Sequence, residues 1–256
     1  MTLPRPTRGT LYLVPTPLDF GCDTILPIAQ TLAHDTLQVA ARLPHWISEN
    51  AKSTRAFLKR VSEVVPLSQP IQDIAIQELP REVHKKGDHR GEFDAKHLLA
   101  AALQGHDIGL ISEAGMPAIA DPGSSVVRAA HALGLRVVPL VGPVSLMLAL
   151  AASGLNGQHF AFVGYLPQEA SARQQRLREL EMLAHKTGQT QLFIETPYRN
   201  AALWEALLKG LQPHTRLARA SGLTLPHMQV QCQTIKAWRV SAFAVGDLPT
   251  VSAIGI

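Results

Sequence analysis

Short apolar runs alternate with amphipathic segments along most of this chain, and that rhythm constrains the fold more than any other feature of it. "GTLYLVP" (residues 9–15) reads as a strand, 24–35 as a helix, "TLQVAA" (36–41) as a strand and "ENAKSTRAFLKRV" (49–61) as a helix. The pattern continues with "IQDIAIQEL" as a strand, "DAKHLLAAALQG" as a helix, "DIGLIS" as a strand, "GSSVVRAAHALGL" as a helix and "RVVPLVG" as a strand. Strands buried on both faces are continuous apolar runs, and strands alternating with helices build a parallel sheet covered on both sides. An α/β layer domain with a mostly parallel sheet is therefore expected over residues 1–141.

Beyond "VGPVS" (141–145) the rhythm changes. Helices are expected at 145–155, 170–187 and 200–211, with strands at 160–166 and 190–196, but the last stretch holds three strand candidates in succession, around "TRLARAS", "HMQVQCQT" and "LPTVSAIGI". Strands that cease to alternate with helices imply an antiparallel part. Residues 142–256 are thus expected to form a second α/β domain with a mixed sheet. Its polar helix carries Leu177, Leu180 and Ala184 at helical spacing, a core stripe, while Arg173, Arg176 and Arg178 are candidates for facing nucleic acid. The segment "REVHKKGDHRGEFDAKH" (81–97) reads as a long exposed loop or lid, and His84, His89, His97 and His106 lack metal-ligand spacing.

The 256 residues are 46% hydrophobic and 17% charged, an ordinary globular composition. Cys22 and Cys232 stand far apart, so neither a disulfide framework nor a zinc site is indicated, as suits a reducing cytoplasm. No apolar run is long enough to cross a bilayer, and no signal-peptide core precedes the first strand. The formal charge of +4 permits a polyanionic partner without requiring one.

Three loops carry the chemistry. "PTPLDFG" (15–21) follows the first strand, "SEAGMPAIADPG" (112–123) follows "DIGLIS", and "VGPVS" follows "RVVPLVG". Carboxyl ends of parallel strands are where α/β proteins bind ligands, because strand ends and helix N-termini leave a crevice there. Around Gly115 the backbone can grip a polar ligand, and Asp121 before Pro122 can cap the next helix. Each loop alone is also a well-made connection; three on one edge favour a site. GxGxxG, GxxxxGK[ST], GxSxG and HExxH are all missing, which removes local support for dinucleotide, P-loop, serine-hydrolase and zincin chemistry.

In order, "LYLVPTP", "SENAKSTRAFLKR", "GLISEAGMPAIADPG", "VVPLVGPVSLMLALAASGL", "FVGYLPQE" and "FIETPYRN" resemble the tetrapyrrole methylase superfamily, and within it the branch of small-subunit ribosomal RNA methyltransferases acting on a ribose 2'-hydroxyl. The resemblance runs from about Gly9 to Leu225. It implies two α/β domains with S-adenosylmethionine (SAM) held in a cleft between them, no metal, and a homodimer. By residue it implies that Pro17, Glu113, Gly115, Met116, Ala120, Pro143 and Ser145 line the cofactor from the N-terminal side, while Leu166, Thr196 and Ala220 close over its adenosine.

The departures are systematic. Where the RNA-modifying branch reads A-E-D-T-R-x-T-R, this chain has "SENAKSTR", with Asn50 and Lys52 replacing Asp and Arg; S-P-H-R becomes "TPYR" with Tyr198, and R-E-L-T-K becomes "SGLTL" (221–225). These look like the changes of a paralogous branch, and the cofactor scaffold survives them better than the RNA-facing residues do. Glu49, Lys52 and Arg55, three residues apart, would share a helix face and are the acceptor-side catalytic candidates; the same spacing suits a solvated face with an ion pair. Glu195 and Arg199 can pair with each other, or the arginine can meet an acidic substrate. An RNA ribose hydroxyl is the favoured acceptor, with a small or tetrapyrrole-like molecule, or SAM binding without catalysis, as the alternatives.

Overall fold

The computed structural model describes residues 8–86 and 91–256. The chain divides into two compact units, one comprising Met1–Gly21 and Ile25–Pro143, the other Cys22–Thr24 and Val144–Ile256.

The first unit contains β1 (Thr10–Val14), α1 (His34–Arg42), β2 (His45–Ser48), α2 (Ala51–Ser62), β3 (Ala75–Glu78), α3 (Arg81–Lys86), α4 (Ala100–Leu103), β4 (Ile108–Ile111), α5 (Ser124–Ala132) and β5 (Arg136–Pro139). Its five strands run in the order β3-β2-β4-β1-β5, and every pairing is parallel. The central strand β4 is buried throughout. Leu11, Ile108 and Leu110 join one core with Leu99, Val126 and Ala130, whereas Val14 and Ile111 join another with Leu37, Trp46, Phe57 and Leu58. Successive residues of a strand point to opposite faces, so this division is that of a sheet covered on both sides. Gly109 is obligatory in the middle of it: a Cβ there would lie 2.7 Å from the Trp46 ring.

Three sequence expectations are corrected in this unit. Residues 36–41, read as a strand, lie within α1, where Leu37, Ala40 and Ala41 are buried at helical spacing; the strand is instead His45–Ser48, after Pro44 stops the helix. The expected helix over 24–35 reduces to a 3₁₀ turn, Ile28–Gln30, and the first two residues of α1. The segment 81–97 is not a continuous loop either, since it opens with α3 and its Lys96 begins a 3₁₀ turn. Its middle, with His89, lies outside the described residues.

The second unit contains α6 (Ser145–Ser153), β6 (Phe160–Tyr165), α7 (Ala170–Thr187), β7 (Thr190–Glu195), α8 (Asn200–Gly210), β8 (Arg216–Ser221), β9 (Gln229–Thr234), α9 (Ile235–Val240) and β10 (Thr250–Gly255). The sheet order is β6-β7-β10-β8-β9; β6 and β7 are parallel, and the remaining neighbours are antiparallel. This is the expected mixed sheet. α7 starts where the Glu169 carboxylate accepts from the N–H groups of Ser171 and Ala172, at 2.9 and 2.7 Å, and it stops at Gly188 with φ +70°. Those hydrogen bonds, led by the one from the Ser171 hydroxyl, hold Glu169 down to about 2. Leu177, Leu180 and Ala184 are buried as their spacing required. The core of this unit is aromatic, with Trp204, Trp238 and Phe243 in mutual contact at ring separations of 5.1 Å. Cys22 and Cys232 form no disulfide, and among the described residues no helix is long and apolar enough to cross a membrane.

Candidate functional site

Because β4, β1 and β5 are adjacent and parallel, the loops that follow them leave the same edge of the first sheet. They are locked to one another. Thr16 and Gly115 form an isolated antiparallel bridge, Thr16 N–H donating to the Gly115 carbonyl at 2.9 Å and Gly115 N–H to the Thr16 carbonyl at 3.1 Å. Pro15 packs so closely on Gly142 that a Cβ on the glycine would lie 2.3 Å from the proline ring. Asp19, buried, receives both prongs of the Arg60 guanidinium at 3.1 and 2.8 Å, and Arg60 also donates to the Leu26 carbonyl. That pair pins "PTPLDFG" to α2.

The loop after β4 has an unusual backbone. Gly115 has φ +74°, and two residues with side chains, Ala118 and Ala120, have φ +65° and +66°. A non-glycine residue in the left-handed region costs about 1–2 kcal/mol, and such residues persist where the surroundings over-determine them, commonly at ligand sites. Here the Ala118 N–H donates to the Pro122 carbonyl at 3.3 Å and the Ile119 N–H to that of Met116 at 3.4 Å, so the loop folds back on itself. It ends at Gly123, φ +134°, where α5 begins.

At the same edge, two buried hydroxyls find no hydrogen-bond partner among the described residues: Ser48 at the end of β2 and Ser112 just past β4. A buried polar atom left unsatisfied costs about 1–3 kcal/mol, which makes the pair a signature of a place that receives something polar. Asp121 is raised to about 7, first by burial and second by the neighbouring negative charge of Glu113. Two carboxylates held near one another, one titrating near neutrality, can accept hydrogen bonds from hydroxyl or ammonium groups and can exchange a proton.

Of the expected cofactor residues, Pro17, Glu113, Gly115, Met116, Ala120 and Pro143 lie on these three loops. Pro17, Gly115 and Pro143 are buried, Glu113 and Met116 half-buried, and Ala120 exposed. Ser145 begins α6 in the second unit. Leu166 and Ala220 are buried there, and the Thr196 N–H donates to Glu195 at 2.8 Å. The Glu195–Arg199 pair is made: the carboxylate accepts from the guanidinium at 2.7 and 2.9 Å. Tyr198 stands exposed beside it.

The expectation that the acceptor-side triplet shares one helix is corrected. Glu49 is not on the helix with Lys52 and Arg55, because Asn50 is the N-cap of α2, accepting from the Lys52 N–H at 2.9 Å. Glu49 instead accepts from the Glu113 N–H at 3.2 Å, which ties it to the loop after β4. Lys52 and Arg55, one turn apart, are exposed on the first turns of α2. Ser48, Ser112 and the Asp19–Arg60 pair were not foreseen as parts of this edge. Only the position of each serine at a strand end marks it in the sequence. Arg176 pairs with Glu179 at 3.2 Å, and Arg178 donates to the Gln174 carbonyl, so the basic face of α7 is bound largely within its own helix.

Residues 29–237 match the family described as Tetrapyrrole (Corrin/Porphyrin) Methylases. The chain is similar to ribosomal RNA small subunit methyltransferase I of Halalkalibacterium halodurans, 34% identical over 195 residues that make up 76% of this chain and 58% of that protein. The protein of the same name in Pseudomonas aeruginosa is 34% identical over 193 residues, 75% of this chain and 58% of the other. That of Mesorhizobium japonicum is 29% identical over 96% of this chain and 74% of its own length. The chain thus spans somewhat under two thirds of the first two relatives. Among solved structures it is similar in fold to the methyltransferase CobJ, with a TM-score of 0.54 at 17% identity and coverage of 96% and 94%. A uroporphyrin-III-C-methyltransferase of Thermus thermophilus gives 0.52 at 17% identity, covering 97% and 94%. The matched span covers most of both units, and with it the chain belongs to the tetrapyrrole methylases, methyltransferases whose methyl donor is S-adenosylmethionine.

Proposed function

We propose that this chain is a SAM-dependent methyltransferase whose acceptor is ribosomal RNA, at a ribose 2'-hydroxyl. The observation that carries the donor site is the loop Glu113–Asp121, strained at Ala118 and Ala120, bridged through Gly115 to Thr16 and flanked by the orphaned hydroxyls of Ser48 and Ser112. This set suits SAM, which carries an ammonium group, a carboxylate and a ribose diol: backbone amides and serine hydroxyls can serve the carboxylate, and Glu113 the ammonium or the diol. Pro17, Glu113, Gly115, Met116, Ala120, Pro143 and Ser145 are the proposed cofactor positions, with Leu166, Thr196 and Ala220 of the second unit proposed for the adenosine. The RNA acceptor rests on the relatives' names and on Glu49, Thr54 and Arg55, which "SENAKSTR" keeps from the RNA-modifying pattern.

When bound, SAM supplies an electrophilic methyl group. The chain's own task is then to hold an acceptor in line and to manage one proton. A hydroxyl is a poor nucleophile until its proton is drawn off, and a carboxylate with proton affinity near neutrality is suited to take it; Asp121 is the residue of this edge with that property. Lys52 and Arg55 offer cations for a phosphate backbone, and Glu49 orients the loop through the Glu113 N–H.

The test is incubation of the protein with methyl-labelled SAM and undermethylated small-subunit ribosomal RNA. Label in a nuclease-resistant dinucleotide, the mark of a 2'-O-methyl group, is expected. Label on a small molecule of a cell extract and none on RNA would contradict the acceptor; SAM binding with no transfer to anything would contradict the enzyme.

A further inference from the structure

We propose that the second unit holds a single monatomic anion of chloride size, bound in its core by Arg219. This goes beyond the methyl-transfer reading and does not depend on it. Arg219 sits in the middle of β8 and is only 5% exposed. Its guanidinium packs against two adjacent aromatic rings, with Cζ 5.5 Å from the centre of Trp204 and 5.0 Å from that of Phe243, the two centres being 5.1 Å apart. Among the described residues it makes no ion pair, and its Nη1 has no hydrogen-bond partner. Ring faces attract a cation but leave its outer N–H groups unserved, and they do not return the full desolvation cost of a buried charge.

Arg219 lines a small, partly open pocket together with Asn200, Trp204, Thr250 and Ser252, with about 10 Å³ available to a water-sized body, room for one and no more. The neighbouring polar groups are mostly committed. Asn200 Nδ2 donates to the Gly246 and Leu248 carbonyls at 3.2 and 3.0 Å; Thr250 Oγ1 donates to Leu248 at 2.9 Å and shares a hydrogen bond with Ser221 Oγ at 2.8 Å. Ser252 is the cross-strand partner of Arg219 on β10, so the two side chains share one face of the sheet. A guanidinium edge and a serine hydroxyl beside a one-atom cavity make a donor set for a small anion. Burial also weakens the hold of Arg219 on its proton, and a bound counter-charge would oppose that.

The intact protein is unfolded thermally in sodium chloride and in sodium gluconate at equal ionic strength, gluconate being too large for the cavity. A midpoint about 2–4 °C higher in chloride, saturating with concentration, is expected. The difference should vanish in Arg219→Met and shrink in Ser252→Ala, which keeps the charge. Crystals grown in bromide should show an anomalous peak within hydrogen-bond reach of Arg219 Nη1, a readout that needs no variant. Equal midpoints in the two salts, a chloride effect that persists in Arg219→Met, or a water molecule with no bromide in the cavity would each overturn the proposal.

Discussion

Replacing Asp121 with asparagine should stabilise the protein at alkaline pH, because the folded state disfavours the ionised carboxylate. The group moves from 3.8 to about 7 on folding, chiefly through burial and secondarily through Glu113. At about 1.4 kcal/mol per tenfold change in proton affinity, the cost of ionising it in the folded chain is capped near 4 kcal/mol. Asp121 is only partly buried, so solvent screening reduces this to about 2 kcal/mol. The sign follows from linkage: a folded-state pKa above the unfolded one means that the native state binds the extra proton between pH about 4 and 7. This group's contribution to stability is therefore whole below about 4 and lost as pH rises through 7. Asp121→Asn carries no proton to lose. Its advantage over the parent, measured by urea denaturation across pH 4 to 8.5, should open from nearly zero at the acid end to about 2 kcal/mol and then stay level. A difference independent of pH, or one that favours the parent at pH 8, would refute the reasoning.

Arg60→Met should destabilise by about 3 kcal/mol in urea, because it strands the buried Asp19 carboxylate, and the double change with Asp19→Asn should recover a good part of the loss. Gly142→Ala should cost about 1–3 kcal/mol, since the new Cβ would lie 2.3 Å from Pro15 and neither ring nor backbone there is free to give; a neutral result would show that the edge is looser than described. Ala118→Gly should leave stability level or raise it by up to about 1 kcal/mol, the relief of left-handed strain offset by a more flexible unfolded chain. If the acceptor is RNA, affinity for it should fall by orders of magnitude between low and physiological salt, and Lys52→Ala with Arg55→Ala should flatten that dependence; binding indifferent to salt would count against RNA.

Much of the architecture was legible because continuous apolar runs mark strands buried on both faces, as in Ile108–Ile111, and because a parallel sheet puts the loops after them on one edge. The misreading at residues 36–41 has a specific cause. Six mostly apolar residues fit a strand, and only the spacing of Leu37, Ala40 and Ala41 together with Pro44 reveals a helix end. His45–Ser48 is too short, and with its histidine and serine too polar, to announce itself, yet it lies second from the edge of the sheet. At the site, Gly115 and Gly142 were readable because glycine declares a close approach or a left-handed backbone. Ala118 and Ala120 were not, because alanine carries no such signal and the strain is imposed by the closed loop. The missing partners of Ser48 and Ser112 and the near-neutral titration of Asp121 are consequences of tertiary burial. Glu49 was singled out for its place in a motif, but its hydrogen bond to Glu113, 64 residues away, could not be read from its spacing to Lys52.

The central claim is that the loop after β4 forms the methyl-donor site, and titration calorimetry of the purified chain with SAM, beside a folded Gly115→Val variant, tests it most directly. Micromolar binding to the parent and none to the variant is the expected result, since a branched side chain at φ +74° would strain the loop and crowd Leu18, already 3.1 Å from a Cβ placed there. Equal binding to both, with the variant's fold confirmed by its denaturation midpoint, would place the donor elsewhere and contradict the account.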